Sequence, residues 1–549
     1  MPPPTPTSTE TINIPTFGDV KGLVYPNGAR QFRGIPYANL TKRWTRAVLN
    51  TSLPDGFHDG TQHGPICPQP PQYTWGSELV PVPPIPYFKE DVEDELNCLN
   101  LNVVLPHASQ TKNLPVMVWI HGGSLLFGSS TNPCYDMVKL VDYSSSIGAP
   151  IIGVSINYRV GLFGFLASEA ITNDLKADGL AGVGNFGLTD QQTALHWVHR
   201  YISSIGGDPG NVTIFGESAG GMSVAHQVWA REPAPFARAI SMSGTINTIP
   251  VWSLEEHERR FRGLLRHLKI DGAADSAALA ALRNVPQQAI AAATCEIEGS
   301  MGATGNPCND GWYHSYRPSL QDGGIISPPA WLQGYMIGDV KDEAAMFRGS
   351  LHDQNYASIL GHFSGFLGDK HAADVLQRYG ITDDLSHEEL DLRFEKMATE
   401  GLFWLHTYLH AHASKVDRTY AYHFDQVSQL DTSFKGLAHH AVELVFVFQT
   451  LEDKMTKEDM KLSRKLGADF IQFAHGTDPW RRFGQGNWMV YGPDDKWAVK
   501  TEDEDKAVRN YARMVGILED GLFPKWAEAM DYVINRRWFL GAVLPSKDI

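Results

Sequence analysis

The chain has 549 residues, 43% of them hydrophobic and 20% charged, with a formal net charge of −16 at pH 7. That balance fits a globular protein with a large core, and no fixed-period repeat points to a solenoid or propeller. No dense Lys/Arg block and no bilayer-length apolar run occurs, which argues against a nucleic-acid partner, an anionic-membrane partner and a transmembrane segment.

In chain order, the opening "MPPPTPTSTETINIP" reads as a disordered head over residues 1–12. It lacks the basic start and apolar stretch of a signal peptide, so a cytoplasmic location is favoured, or a secreted one if the chain is a mature form. Asn39, Asn50 and Asn211 are glycosylation acceptors only in the second case. The five cysteines lack zinc-ligand spacing.

Near-continuous apolar runs at 115–120, 150–157, 211–215 and 238–244 predict buried strands, and 334–340 and 418–426 predict two more. Between the second and third, Leu195, Val198, Ile202 and Ile205 recur at helical spacing across 187–209, and Gly206-Gly207 ends the run. Strands alternating with helices predict a mostly parallel sheet covered on both faces, and the length allows either several domains or one large α/β domain with long insertions spanning 1–549. Residues 250–330 and 350–415 read as helical, loop-rich insertions. In such sheets the ligand crevice lies at the carboxyl ends of the strands.

The third of these strands, "NVTIF" (211–215), runs into "GESAGGM" (216–222) and then a helical pattern. A glycine-flanked serine in a strand-to-helix turn is either an exposed nucleophile or a small residue in a structural turn. As a nucleophile Ser218 needs a base, a carboxylate to orient that base, and backbone N–H donors for the oxyanion. "WIHGGSLLFG" (119–128) follows a strand and offers Gly122 and Gly123 for close approach to a substrate; the N–H of Ala219 is a further donor.

Longer segments then carry a resemblance. "FRGIPYA" (32–38), "ELNCLNLNV" (95–103), "VMVWIHGG" (116–123), "SINYRVGLFGFLAS" (155–168) and above all "GNFGLTDQQTALHWVHRYISSIGGDPGNVTIFGESAGG" (184–221) resemble the type-B carboxylesterases, the family of carboxylesterases, cholinesterases and fungal lipases. The resemblance implies the α/β-hydrolase fold, a small-molecule ester substrate, and hydrolysis without metal or organic cofactor. It leaves the oligomeric state open. It implies a Ser–Glu–His order, with Ser218 as nucleophile. "IGDVKDEAAMF" (337–347) then matches the segment carrying the acid and selects Glu343 over its neighbour Asp342. "GLAHHAVELVFVF" (436–448) matches the histidine loop, and its His-x-x-Glu register selects His440, with Glu443 downstream, over His439.

The implied oxyanion donors are Gly123, Ser124 and Ala219, with Ser124 standing where the family more usually has a third glycine. Glu217 matches an acidic gorge position, and either stabilises the charged histidine or serves as a buried acceptor. Pairing of Cys67 with Cys98 is implied, enclosing a loop with Tyr73, Trp75 and Phe88; Cys295 with Cys308 matches weakly, and Cys134 is left over. Trp75 either lines the gorge or packs the loop. The resemblance implies a carboxylesterase acting on small to medium esters. A lipase with a lid over 67–98 and a non-catalytic binding relative are the alternatives.

Overall fold

Seven-residue and shorter runs that are apolar on both faces can be satisfied only inside a sheet covered on both sides. A computed structural model builds that sheet. It describes residues 5–70, 91–108, 112–270, 274–297, 305–314, 326–349 and 351–535.

Twelve strands follow one another across it: β1 (Ser8–Ile14), β2 (Gly18–Val24), β3 (Arg30–Pro36), β4 (Asn100–Leu105), β5 (Leu114–Ile120), β6 (Ile152–Ile156), β7 (Gly207–Glu217), β8 (Arg238–Met242), β9 (Gly334–Val340), β10 (Thr419–Phe424), β11 (Asn487–Tyr491) and β12 (Trp497–Thr501). Their spatial order is sequential except that β6 lies between β4 and β5. From β6 through β5 and β7 to β11 the neighbours are parallel, and the flanking pairs are antiparallel. This exchange of β5 and β6 puts a reversal of strand order beside β7, the position at whose carboxyl ends open α/β sheets bind ligands.

Strand alternation splits the core into two layers. Val116, Val118 and Ile120 of β5 face a layer that includes the helices Phe186–Tyr201 and Ala219–Val228. Met117 and Trp119 face the other, with the helices Val138–Ser146, Glu443–Phe448 and Lys457–Ala474. A third apolar cluster joins helices between Tyr356 and Ile534 beside the sheet. No described helix is long and apolar enough to cross a membrane.

The predicted strands reappear as β5 to β10. The predicted helical run is found: it is α-helical over Phe186–Tyr201, tightens over Ile202–Ile205 and stops at Gly206 (φ 98°), as expected, and β7 begins at Gly207. The head expected to be disordered is corrected over residues 8–12. They belong to β1, which pairs antiparallel with β2 from Ser8↔Val24 to Ile14↔Gly18. Threonine is β-branched and accepts an extended backbone, and Ile14 is fully buried, so a polar segment still forms an edge strand.

The expected Cys67–Cys98 bridge is also corrected. Both side chains are buried free thiols in hydrogen-bond contact with each other. Backbone groups occupy each sulfur as well: Cys67 Sγ accepts from the N–H of Val160 (3.5 Å), and Cys98 Sγ donates to the carbonyl of Glu95 (3.6 Å). Cys134 and Cys308 are buried and form no disulfide among the described residues, and the side chain of Cys295 lies outside them.

Candidate active site

β7 ends at Glu217, and the next residue turns the chain abruptly. Ser218 has φ 56° and ψ −127°, a region L-residues rarely occupy. Its N–H donates to the carbonyl of Met242 at the end of β8 (2.9 Å), and the helix Ala219–Val228 starts immediately afterwards. Glu217 and Ala219 are fully buried while Ser218 is only partly so. The helix can start this close to the sheet because position 220 has no side chain. A Cβ on Gly220 would lie 2.1 Å from the carbonyl oxygen of Ile120.

Ile120 is the last residue of β5, so its loop meets the same turn. A Cβ on Gly122 would lie 2.7 Å from the carbonyl oxygen of Glu217 and 3.2 Å from Cβ of Ser218. Gly123 (φ 104°), Ser124 (φ 55°) and Leu125 (φ 59°) are all left-handed. Their carbonyls turn away from the serine: that of Gly123 accepts from Leu126 and Phe127 (2.9 and 3.1 Å), that of Ser124 from Gly305 (2.9 Å). The N–H groups of Gly123, Ser124 and Ala219 donate to none of the described residues. Backbone donors with no internal partner, next to a helix N-terminus, suit an oxyanion.

The other two expected residues come from the loops after β9 and β10. Glu343 takes the N–H of Val340 on Oε1 (2.9 Å), and its Oε2 lies 2.5 Å from Nδ1 of His440. The rival residues do something else. Asp342 binds Ala438 twice, donating its N–H to the carbonyl (2.9 Å) and accepting the Ala438 N–H on Oδ2 (2.8 Å). His439 turns Nδ1 to the carbonyl of its neighbour (2.8 Å) and packs its ring on Phe434. Asp342 thus stitches the two loops together, and Glu343 and His440 are the pair that meets.

Nε2 of His440 makes no hydrogen bond to the described residues. It lies 3.1 Å from Oε1 of Glu217, and no hydrogen bond to Ser218 is formed among the described residues. The ring is thus next to Glu217, the residue before Ser218, without a hydrogen bond to the serine; such bonds are often long or absent without substrate. Both carboxylate oxygens of Glu217 lack hydrogen-bond partners among the described residues. Glu443 is fully buried nearby and accepts from Ser243 Oγ at 3.5 Å. The pattern His-x-x-Glu located Glu443 in the sequence; Ser243, at φ 48° just after β8, carried no signal beyond following a strand. Trp75 lies outside the described residues.

Three carboxylates around one ring set its electrostatics. Burial opposes the imidazolium, but Glu217 and Glu343 together outweigh it and raise His440 to about 9. Burial lifts Glu217 to about 7 against the pull of His440, and burial and the neighbouring carboxylates push Glu443 well above the ordinary range. A base must be neutral to accept a proton, so if His440 has the expected role of base, kcat/KM is expected to rise with pH through its titration. Glu217→Gln removes one carboxylate that favours the charged ring. The rising limb of kcat/KM is then expected to move to lower pH by about 1–3 units, the effect of one close charge. An unmoved limb in a pH series on the folded variant would show that Glu217 does not act on this ring.

Residues 8–515 match the model of the Carboxylesterase family. The chain is 30% identical over 498 residues to Lipase 3 of Yarrowia lipolytica, covering 86% of this chain and 91% of that protein. It is 31% identical over 509 residues to the para-nitrobenzyl esterase of Bacillus subtilis, covering 90% and 96%. A solved PNB esterase superposes with a TM-score of 0.72 at 26% identity, covering 92% of this chain and 99% of that one. A parallel sheet with its reversal at β5 and β7, a strained serine at that reversal and a family match over nearly the whole length agree: the chain belongs to the carboxylesterase family, with the α/β-hydrolase fold, and is a carboxylic ester hydrolase.

Proposed function

We propose that the chain cleaves carboxylic esters by two-step acyl transfer through an acyl-serine at Ser218. His440 takes the hydroxyl proton as Ser218 Oγ attacks the carbonyl carbon, and Glu343 holds the ring and offsets its charge. The N–H groups of Gly123, Ser124 and Ala219 receive the oxyanion, and Gly122 leaves room beside Ser218 for the acyl group. His440 then protonates the departing alcohol. Water, activated in the same way, releases the acid and restores Ser218. The observation that carries the reading is the Glu343–His440 pair, whose Nε2 stays unbonded beside the serine turn. Glu217, 3.1 Å from Nε2, is the group that steadies the imidazolium between the two proton transfers.

Small to medium acyl groups suit this site best. Ser124 carries a side chain where the family more usually has glycine, which narrows the space beside the oxyanion donors. A long-chain reading is favoured by one observation, the similarity to a protein named a lipase. Hydrolysis of p-nitrophenyl esters from acetyl to palmitoyl separates the two. An optimum at acetyl to hexanoyl is expected, and an optimum at dodecanoyl or longer with activation by an emulsion would overturn the small-ester reading.

A further inference from the structure

The helix that begins at His387 does not run evenly to Ala413. It is α-helical over His387–Thr399, opens into a wide turn over Glu400–Trp404, where the N–H of Leu405 bonds the carbonyl of Glu400, and resumes over Leu405–Ala413. Such an i→i+5 turn inserts an extra residue and is uncommon. It brings positions i, i+4 and i+5 onto one face, whereas in an α-helix position i+5 lies well round the cylinder. The residues so aligned are Thr399, Phe403 and Trp404.

All three touch the loops that carry the acid and the base. Thr399 Oγ1 accepts the N–H of Ala344, the residue after Glu343 (3.0 Å). Trp404 Nε1 donates to the carbonyl of Val340 (2.8 Å), and the N–H of Val340 is the one bonded to Glu343 Oε1. The Phe403 ring packs on the His440 ring, with centroids 5.2 Å apart. The loop bearing Glu343 is thus held on both sides, and the imidazole is backed by an aromatic wall.

The wide turn is itself latched from a distant part of the chain. Glu400, fully buried, forms an ion pair with Arg513 and accepts from the hydroxyl of Tyr379 (2.8 Å). Arg509 stacks over the Trp404 ring at 4.5 Å and is bound to Asp339, Asp425 and Asp505. Arginines from the segment around the helix Tyr511–Glu519 therefore fix the register that aims Thr399, Phe403 and Trp404.

We propose that the wide turn Glu400–Trp404 is the positioning element of the Glu343–His440 pair, with Thr399 and Trp404 as positioning residues that act through Glu343. This rests on the proposed roles of Glu343 and His440. The turn governs how well the acid is aligned to the base and leaves the oxyanion donors and the acyl side untouched.

The test uses the full-length protein, p-nitrophenyl butyrate, and the variants Thr399→Val, Thr399→Ser and Trp404→Phe. Thr399→Val keeps the shape but removes the acceptor for Ala344, and Thr399→Ser restores it. Thr399→Val and Trp404→Phe are expected to lower kcat by about 10–100-fold with KM within about twofold, the scale of a small misplacement of reacting groups. Both are also expected to shift the midpoint of the kcat/KM pH profile, which Glu217, Glu343 and Glu443 otherwise set around His440; Thr399→Ser returns both quantities towards the wild type. A lowered Tm with kcat and the pH midpoint unchanged would overturn the proposal and leave the turn a packing element. If Trp404→Phe does not fold, the Thr399 pair decides. His440→Ala, measured alongside, separates the premises: retained turnover there sinks the role of His440 itself, whereas lost turnover with normal Thr399→Val sinks only the positioning role.

Discussion

Ser218→Ala is expected to lower kcat towards p-nitrophenyl esters by on the order of 10⁶-fold, about 8 kcal/mol of transition-state stabilisation, while leaving the fold intact. On the proposed mechanism, removing the hydroxyl deletes the covalent route altogether, and the backbone donors proposed at Gly123, Ser124 and Ala219 would retain only the residual stabilisation of an oxyanion. The backbone at this position is strained with either side chain, since φ is 56° and both residues carry a Cβ. Stability should therefore change little. Intact-mass measurement after treatment with an organophosphate gives the matching readout: a single phosphoryl adduct on the wild type and none on the variant. Full turnover or undiminished adduct formation in Ser218→Ala would move the nucleophile elsewhere.

The second large effect is expected at Glu343. Glu343→Gln preserves shape and volume but replaces the carboxylate that lies 2.5 Å from Nδ1 of His440 with an amide. The amide neither offsets the charged ring nor fixes the tautomer that leaves Nε2 ready for the serine proton. A loss of about 10⁴ in kcat is expected from such a change, with KM little altered. Asp342→Asn is the informative contrast. An asparagine oxygen still accepts from Ala438, so the stitch between the loops survives and kcat should stay within a few-fold of the wild type. Comparable losses in both variants would mean that the loop as a whole, and not the carboxylate of Glu343, supports the chemistry.

These contrasts also mark what was legible in the sequence. β5 to β10 announced themselves because both faces of each are apolar, and the helix Phe186–Tyr201 because its spacing is regular. Ser218, Gly122 and Gly123 were legible because a strand-to-helix turn and a close backbone approach both demand special residues locally. The choice between Glu343 and Asp342, or between His440 and His439, has no local signature: adjacent residues differ only in where the backbone aims them. It took the register of longer matching segments to select Glu343 and His440, and the Asp342–Ala438 stitch gives that choice a physical reason. β1 was hidden by its threonines, whose hydroxyls suggest a loop while their branched Cβ atoms suit a strand. Thr399, Phe403 and Trp404 were invisible because they line up only at the spacing of a wide turn, which a 3.6-residue period does not reveal.

The arrangement of the site along the chain has a consequence for its birth. Ser218 follows β7, whereas Glu343 and His440 follow β9 and β10, so Ser218 and His440 are more than two hundred residues apart in order of synthesis, with Glu343 between them. At ordinary elongation rates the serine leaves the ribosome about 10–40 s before the histidine. A nascent chain holding the turn after β7 has no base within reach, and β9 and β10 must dock before one arrives. With the proposed roles of Ser218 and His440, the incomplete chain could not acylate itself on a passing ester, and the appearance of activity in a synchronised translation is expected to report the docking of β10 and not the earlier formation of the turn at Ser218.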